Sequence, residues 1–77
     1  MAHTFEDLVT LERLAEEAHA AYTTNPDDDT RAAWRDAADA FQAAVVEHAA
    51  AEGASRYEVE MAAKKAVRHP EAEAAAS

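Results

Sequence analysis

Alanine dominates this chain and constrains its fold more than any other feature. The 77 residues include 23 alanines, but only ten Leu, Val and Phe residues together and no Ile. Alanine has the highest helix propensity, and its methyl group is buried without loss of side-chain entropy. The composition therefore predicts a small helical protein with a thin core. Such a core contributes only about 3–5 kcal/mol, so we expect self-association or a partner to add stability.

Apolar spacing and helix-end signals predict an all-α fold. An antiparallel hairpin is expected over about residues 4–24 and 29–52, followed by a shorter helix over about 55–68, as a small three-helix bundle. We expect residues 1–69 to form one domain and residues 70–77 a flexible tail.

Specific residues mark the predicted helix ends. Thr4 begins a pattern similar to a capping box, and either Asp28 or Asp29 is expected to cap the second helix. Gly53 is expected to end that helix in the left-handed conformation. Ser55 then starts a capping box for the third helix.

Each predicted helix has one apolar face, which we expect to form the core. The inner positions are Phe5, Leu8, Leu11, Ala15, Ala18 and Tyr22 in the first helix; Trp34, Ala37, Phe41, Ala44, Val45 and His48 in the second; and Val59, Ala62, Ala63, Ala66 and Val67 in the third.

Charge is distributed unevenly along the chain, which has a net charge of −9. The first 52 residues carry twelve acidic and three basic side chains, whereas the last 25 carry four of each. An acidic body opposes non-specific binding to nucleic acid or anionic lipid.

Several classes of site and location are disfavoured by what the sequence lacks. There is no cysteine, which excludes disulfides, thiolate metal sites and cysteine nucleophiles. No apolar run approaches the roughly 20 residues that span a membrane, so we expect no membrane association. No signal peptide is visible, so we expect the protein to be cytoplasmic.

The join between the second and third helices resembles a helix-turn-helix motif. Ala49, Gly53 and Val59 have the spacing in which a small residue allows a close crossing, glycine turns the chain and valine anchors the next helix. Glu58 and Glu60 depart from the pattern by adding negative charge to the recognition helix. The resemblance implies DNA binding through residues 45–68, and the alternative is an ordinary capped corner. The side chains that would face DNA are Arg56, Tyr57, Lys64, Lys65 and Arg68.

The same stretch is similar to the start of the second helix of acyl carrier proteins. Gly53-Ala54-Ser55 followed by Val59-Glu60 carries the likeness, although Ala54 stands where that family has Asp. The resemblance implies phosphopantetheine attachment to Ser55, and the alternative is that Ser55 only caps a helix.

Two patterns of acidic residues suggest binding. Glu16 and His19 have the spacing found in di-iron helical bundles, but Glu12, Glu47, His48 or a second copy of the motif would be needed to complete a metal site. The acidic surface also suggests a mimic of a phosphate backbone, with simple solubility as the alternative. The candidate partner surface consists of Glu12, Glu16, Asp27, Asp28 and Asp29.

No nucleophile–base pair, glycine-rich phosphate loop or zinc-ligand spacing is present, so we expect no enzymatic activity and no cofactor. The sequence favours a non-enzymatic protein–protein interaction or regulatory module that forms a homodimer. A helix-turn-helix DNA-binding regulator is the alternative.

Overall fold

A computed structural model describes residues 3–68. Within this range the chain forms three helices and no strand: α1 is Phe5–Thr24, α2 is Asp28–Glu52 and α3 is Arg56–Arg68. The predicted all-α three-helix bundle is therefore confirmed. The tail predicted at 70–77 lies outside the described residues.

The first two helices pack antiparallel, as contacts at both ends of the pair show. At one end, the Nδ1 atom of His48 lies 2.7 Å from the carbonyl oxygen of His3. At the other end, the rings of Tyr22 and Trp34 stack with centroids 5.6 Å apart. The α3 helix then packs against both members of the hairpin.

The first two helices begin with reciprocal capping boxes. The Asp7 N–H donates to Thr4 Oγ1 at 3.1 Å, and the Thr4 N–H donates to Asp7 Oδ2 at 3.0 Å, as predicted. For α2, however, the cap is Asp27 rather than Asp28 or Asp29. Asp27 has the extended backbone that an N-cap requires, with φ −145° and ψ 177°, whereas α2 already includes the next two aspartates.

Gly53 ends α2 as predicted, with φ 64° and ψ 32° in the left-handed region. The Ala49 carbonyl oxygen accepts the Gly53 N–H and also the Ala54 N–H, the latter at 2.9 Å. The α3 helix follows within three residues, and the Glu58 N–H lies 3.5 Å from Ser55 Oγ, a long capping contact.

The core lies where the three apolar faces meet. Its buried residues are Leu8, Phe41, Ala44, Val45, Ala49, Val59 and Ala63. Phe5 and Leu11 pack against this cluster from its edge. One predicted core position was wrong, because Ala62 is exposed next to the fully buried Ala63. None of the three helices in the described part of the chain is both long and apolar enough to cross a membrane.

Candidate functional site

The α3 helix has two contrasting sides. Val59 and Ala63 lie in the core, while Tyr57 is 70% exposed and Met61 is 38% exposed. Tyr57 and Met61 are four residues apart, so they occupy neighbouring turns of the same side. We define the outer face of α3 by five of its exposed positions, which lie opposite Val59 and Ala63: Tyr57, Glu58, Met61, Ala62 and Lys65.

A salt bridge between Lys64 and Glu12 ties the inner side of α3 to α1. Lys64 Nζ donates to Glu12 Oε1 at 3.3 Å and to Oε2 at 3.4 Å. The Glu12 carboxylate is almost completely buried, with a side-chain exposure of 3%. The ammonium group also lies 5.4 Å from the centroid of the Phe41 ring, a cation–π distance. The ammonium group of Lys64 is therefore directed toward buried groups of the bundle.

Burial is the main influence on the ionisation of Glu12. Removal from water raises the pKa of Glu12, and the neighbouring Glu16 carboxyl group raises it further. The ammonium group of Lys64 opposes both effects by favouring the carboxylate. Since the burial effect is the largest of these, Glu12 holds a proton more tightly than an exposed glutamate does.

Glu16 extends this ionic contact one turn along α1. Its Oε1 lies 3.9 Å from the Arg68 Nε, at the outer limit of an ion pair. Its Oε2 is buried and has no hydrogen-bond partner within residues 3–68. Glu16 and Arg68 thus form a looser pair beside the close contact of Glu12 with Lys64.

A second chain of polar contacts links α3 to α2. Arg56 Nη2 donates to Gln42 Oε1 at 3.1 Å, and Gln42 Nε2 donates to Glu60 Oε1 at 3.0 Å. Gln42 therefore bridges a cation and an anion of α3. Together with the ion pairs to α1, these bonds hold α3 to both helices of the hairpin.

The five predicted DNA-facing side chains are separated by these contacts. Lys64 is bound to Glu12, Arg68 lies beside Glu16, and Arg56 donates to Gln42. Tyr57 and Lys65 lie on the outer face of α3. Tyr57 and Lys65 are therefore the two of the five that are exposed and take part in none of these three contacts.

The candidate acidic partner surface is also divided. Glu12 is buried and Glu16 is half-buried against α3, whereas the three consecutive aspartates are exposed at the start of α2. Asp27 accepts the Thr30 N–H at 2.8 Å, and this bond lowers the pKa of Asp27. Asp28 and Asp29 are the two members whose carboxylates extend from the first turn of α2.

A cleft of about 200 Å³ opens where the three helices meet. Glu16, His19, Trp34, Lys64 and Arg68 are among its lining residues. The His19 ring packs against the Trp34 ring, with 4.5 Å between centroids. Within residues 3–68, no group of three or more His, Asp or Glu side chains is arranged to hold a metal ion. Glu16 and His19 therefore lack a third ligand among the described residues.

The outer face of α3 was not identified from the sequence as a unit, although its signal was present. Tyr57, Met61 and Lys65 recur every four residues, on the side opposite Val59 and Ala63. Comparison with known proteins adds no family: no family model, curated protein or solved structure matches this chain.

Proposed function

We propose that this chain is a non-enzymatic protein-interaction module that self-associates through the outer face of α3. The observation that carries the proposal is the exposure of Tyr57 and Met61 on one side of a helix whose other side buries Val59 and Ala63. Tyrosine and methionine are enriched at protein interfaces, where a large apolar side chain contributes binding free energy.

The thin core supports self-association as the use of this face. Among residues 3–68, the large side chains that are fully buried in the apolar cluster are Phe41, Leu8 and Val45. A bundle of this size has little stability of its own, and binding to the folded state adds stability by mass action. A homodimer would bury Tyr57 and Met61 and stabilise both copies.

Charge also favours α3 over the hairpin as the contact between copies. The first 52 residues carry twelve acidic and three basic side chains, so a dimer formed through the hairpin would bring like charges together. The last 25 residues carry four of each sign. Two copies can therefore approach through α3 with less repulsion.

Sedimentation velocity over a range of concentrations tests this proposal. We expect the unmodified chain to dimerise, and Tyr57→Gln combined with Met61→Gln to remain monomeric while keeping its helical circular dichroism. Leu14→Gln is the matched control, since Leu14 is 50% exposed on α1, and it should dimerise normally. A chain that is monomeric at every concentration would contradict the proposal.

A helix-turn-helix DNA-binding regulator is the second candidate. It is favoured by the corner itself, where Gly53 is left-handed and both Ala49 and Val59 are buried. DNA binding in this case would use Lys65 together with Arg56, which would exchange its hydrogen bond with Gln42 for a DNA contact, and affinity would fall steeply with added salt. Arg56→Glu combined with Lys65→Glu should abolish that binding, and retained affinity in the folded double variant would eliminate this candidate.

The proposal places the module in the cytoplasm. Small secreted domains commonly rely on disulfides to compensate for a limited core, and this sequence contains no cysteine. Fractionation of cells that produce the chain with a small epitope tag tests the location, and recovery from an extracytoplasmic fraction would contradict it.

A further inference from the structure

We propose that two copies of α3 pair antiparallel across a two-fold axis that passes between Met61 and Ala62. This arrangement rests on the proposed self-association and specifies its geometry. The partner is a second copy of this chain, because the outer face carries both of the charges that it needs to recognise itself.

The charges on the outer face are arranged asymmetrically along α3. Glu58 lies in the first turn, and Lys65 lies in the last turn. They are seven residues apart, about two helical turns, so they project from the same side. Lys64 does not compete for Glu58, because its ammonium group is bound to Glu12.

Only the antiparallel direction makes these charges complementary. In that direction, Glu58 of each copy faces Lys65 of the other, which forms two equivalent pairs related by the two-fold axis. In the parallel direction, Glu58 would face Glu58 and Lys65 would face Lys65. Charge complementarity therefore selects the antiparallel direction and fixes the register.

The residues at the centre of this register suit a close helix crossing. The position midway between Glu58 and Lys65 falls between Met61 and Ala62, both of which are exposed. The small side chain of Ala62 allows the two helices to approach, and the flexible Met61 side chain can fill the remaining space. Tyr57 then covers the flank of the contact, and its ring is the largest apolar surface on this face.

A charge-swap series tests the direction and register. Glu58→Lys and Lys65→Glu should each weaken dimerisation about tenfold, because each converts two attractive pairs into two repulsive pairs. The double variant Glu58→Lys/Lys65→Glu should restore dimerisation. In the parallel arrangement, the double variant would gain nothing over either single variant.

The double variant also distinguishes an effect on the dimer contact from an effect on the stability of α3 itself. It places a cation in the first turn and an anion in the last turn of α3, which disfavours the helix through its dipole. Restored dimerisation therefore cannot result from a more stable α3. Circular dichroism of each variant at low concentration verifies that α3 remains folded.

Cysteine crosslinking provides an independent test, because the chain has no cysteine of its own. Met61→Cys places a thiol next to the two-fold axis, where the two copies approach each other. Under mild oxidation it should form disulfide-linked dimers much faster than Leu14→Cys, whose exposed position lies on α1. Equal rates for the two variants would overturn the proposed register.

These outcomes distinguish failure of the register from failure of the proposed function. A monomeric unmodified chain would overturn both. A different result would overturn the antiparallel register alone. In that case Tyr57→Gln/Met61→Gln would abolish the dimer, which supports self-association through α3, but Glu58→Lys/Lys65→Glu would dimerise no better than the single charge variants.

Discussion

Lys64 Nζ lies 3.3 Å from Glu12 Oε1, and this contact joins residues that are 52 positions apart in the sequence. It connects the last helix to the first and places a buried carboxylate at the centre of the α1–α3 contact. A buried charge is costly unless it is paired, so Glu12 depends on Lys64 more than an exposed glutamate would.

Loss of Lys64 should therefore destabilise the bundle. We expect Lys64→Ala to lower the free energy of unfolding by about 2–3 kcal/mol, because it leaves the Glu12 carboxylate buried without its cation. Arg13→Ala, which removes a cation from an exposed position of α1, is the matched control and should cost less than about 0.5 kcal/mol. Urea unfolding monitored by circular dichroism measures both, and equal costs would contradict the structural role assigned to Lys64.

The raised pKa of Glu12 predicts a particular dependence on pH. The folded state binds this proton more tightly than the unfolded state, so the unfavourable contribution of Glu12 grows as pH rises above its ordinary value of 4.5. Glu12→Gln removes this ionisation. The stability of Glu12→Gln relative to the unmodified chain should therefore increase from acidic to neutral pH.

Thermal unfolding between pH 4 and pH 7 tests this dependence. Glu17→Gln removes a charge of the same sign from an exposed position of α1 and corrects for the change in net charge. If the relative stability of Glu12→Gln instead decreased toward neutral pH, the attraction of Lys64 would outweigh the effect of burial.

The Asp27 cap should contribute in the opposite pH direction. Its pKa is lowered by the Thr30 N–H, so its stabilising contribution is present above the ordinary value of 3.8 and is lost as pH falls through the lower folded value. Asp27→Ala should reduce the melting temperature at neutral pH more than Asp28→Ala does, because only Asp27 accepts that hydrogen bond. Calorimetry should show the difference disappear in strong acid. If the two variants lowered the melting temperature equally at neutral pH, Asp28 would be as important to the α2 cap as Asp27.

Gly53 should tolerate a larger side chain at a limited cost. A Cβ atom at this position would meet no atom of residues 3–68 within 4 Å, so the left-handed backbone, with φ +64°, is what disfavours the substitution. We expect Gly53→Ala to lower the free energy of unfolding by about 1 kcal/mol. Gly53→Asn should cost less, because asparagine adopts this conformation more readily. Chemical denaturation compares them, and a cost well above about 1 kcal/mol for both variants would indicate a steric role.

Local signals made the helices predictable, since each acts within a few residues. Thr4 and Gly53 mark helix ends through backbone geometry, which depends on immediate neighbours. The wrong prediction of the α2 cap, Asp28 or Asp29 in place of Asp27, also has a local cause. Three consecutive aspartates offered equivalent caps, and only the backbone conformation distinguished Asp27 from the two that follow.

The candidate site was less predictable, because burial depends on where other helices lie. Glu12 was assigned to an acidic surface although it lies between Leu8 and Ala15 at helical spacing, on the buried side of α1. That spacing indicates that Glu12 lies on the inner side of α1, but it does not identify the cation that compensates for burial of its carboxylate. Likewise, the sequence favours Lys64 and Arg68 as phosphate-binding residues, but in the fold they lie beside carboxylates of α1.

The sequence by itself determined the helical class, the three segments and most of their inner faces, because helix propensity, capping and periodicity act over one or two turns. Only the tertiary structure decided which charges are paired inside and which side of α3 is free. Pairing between α1 and α3 requires the chain to return over about 50 residues, a distance at which sequence spacing carries no geometric information.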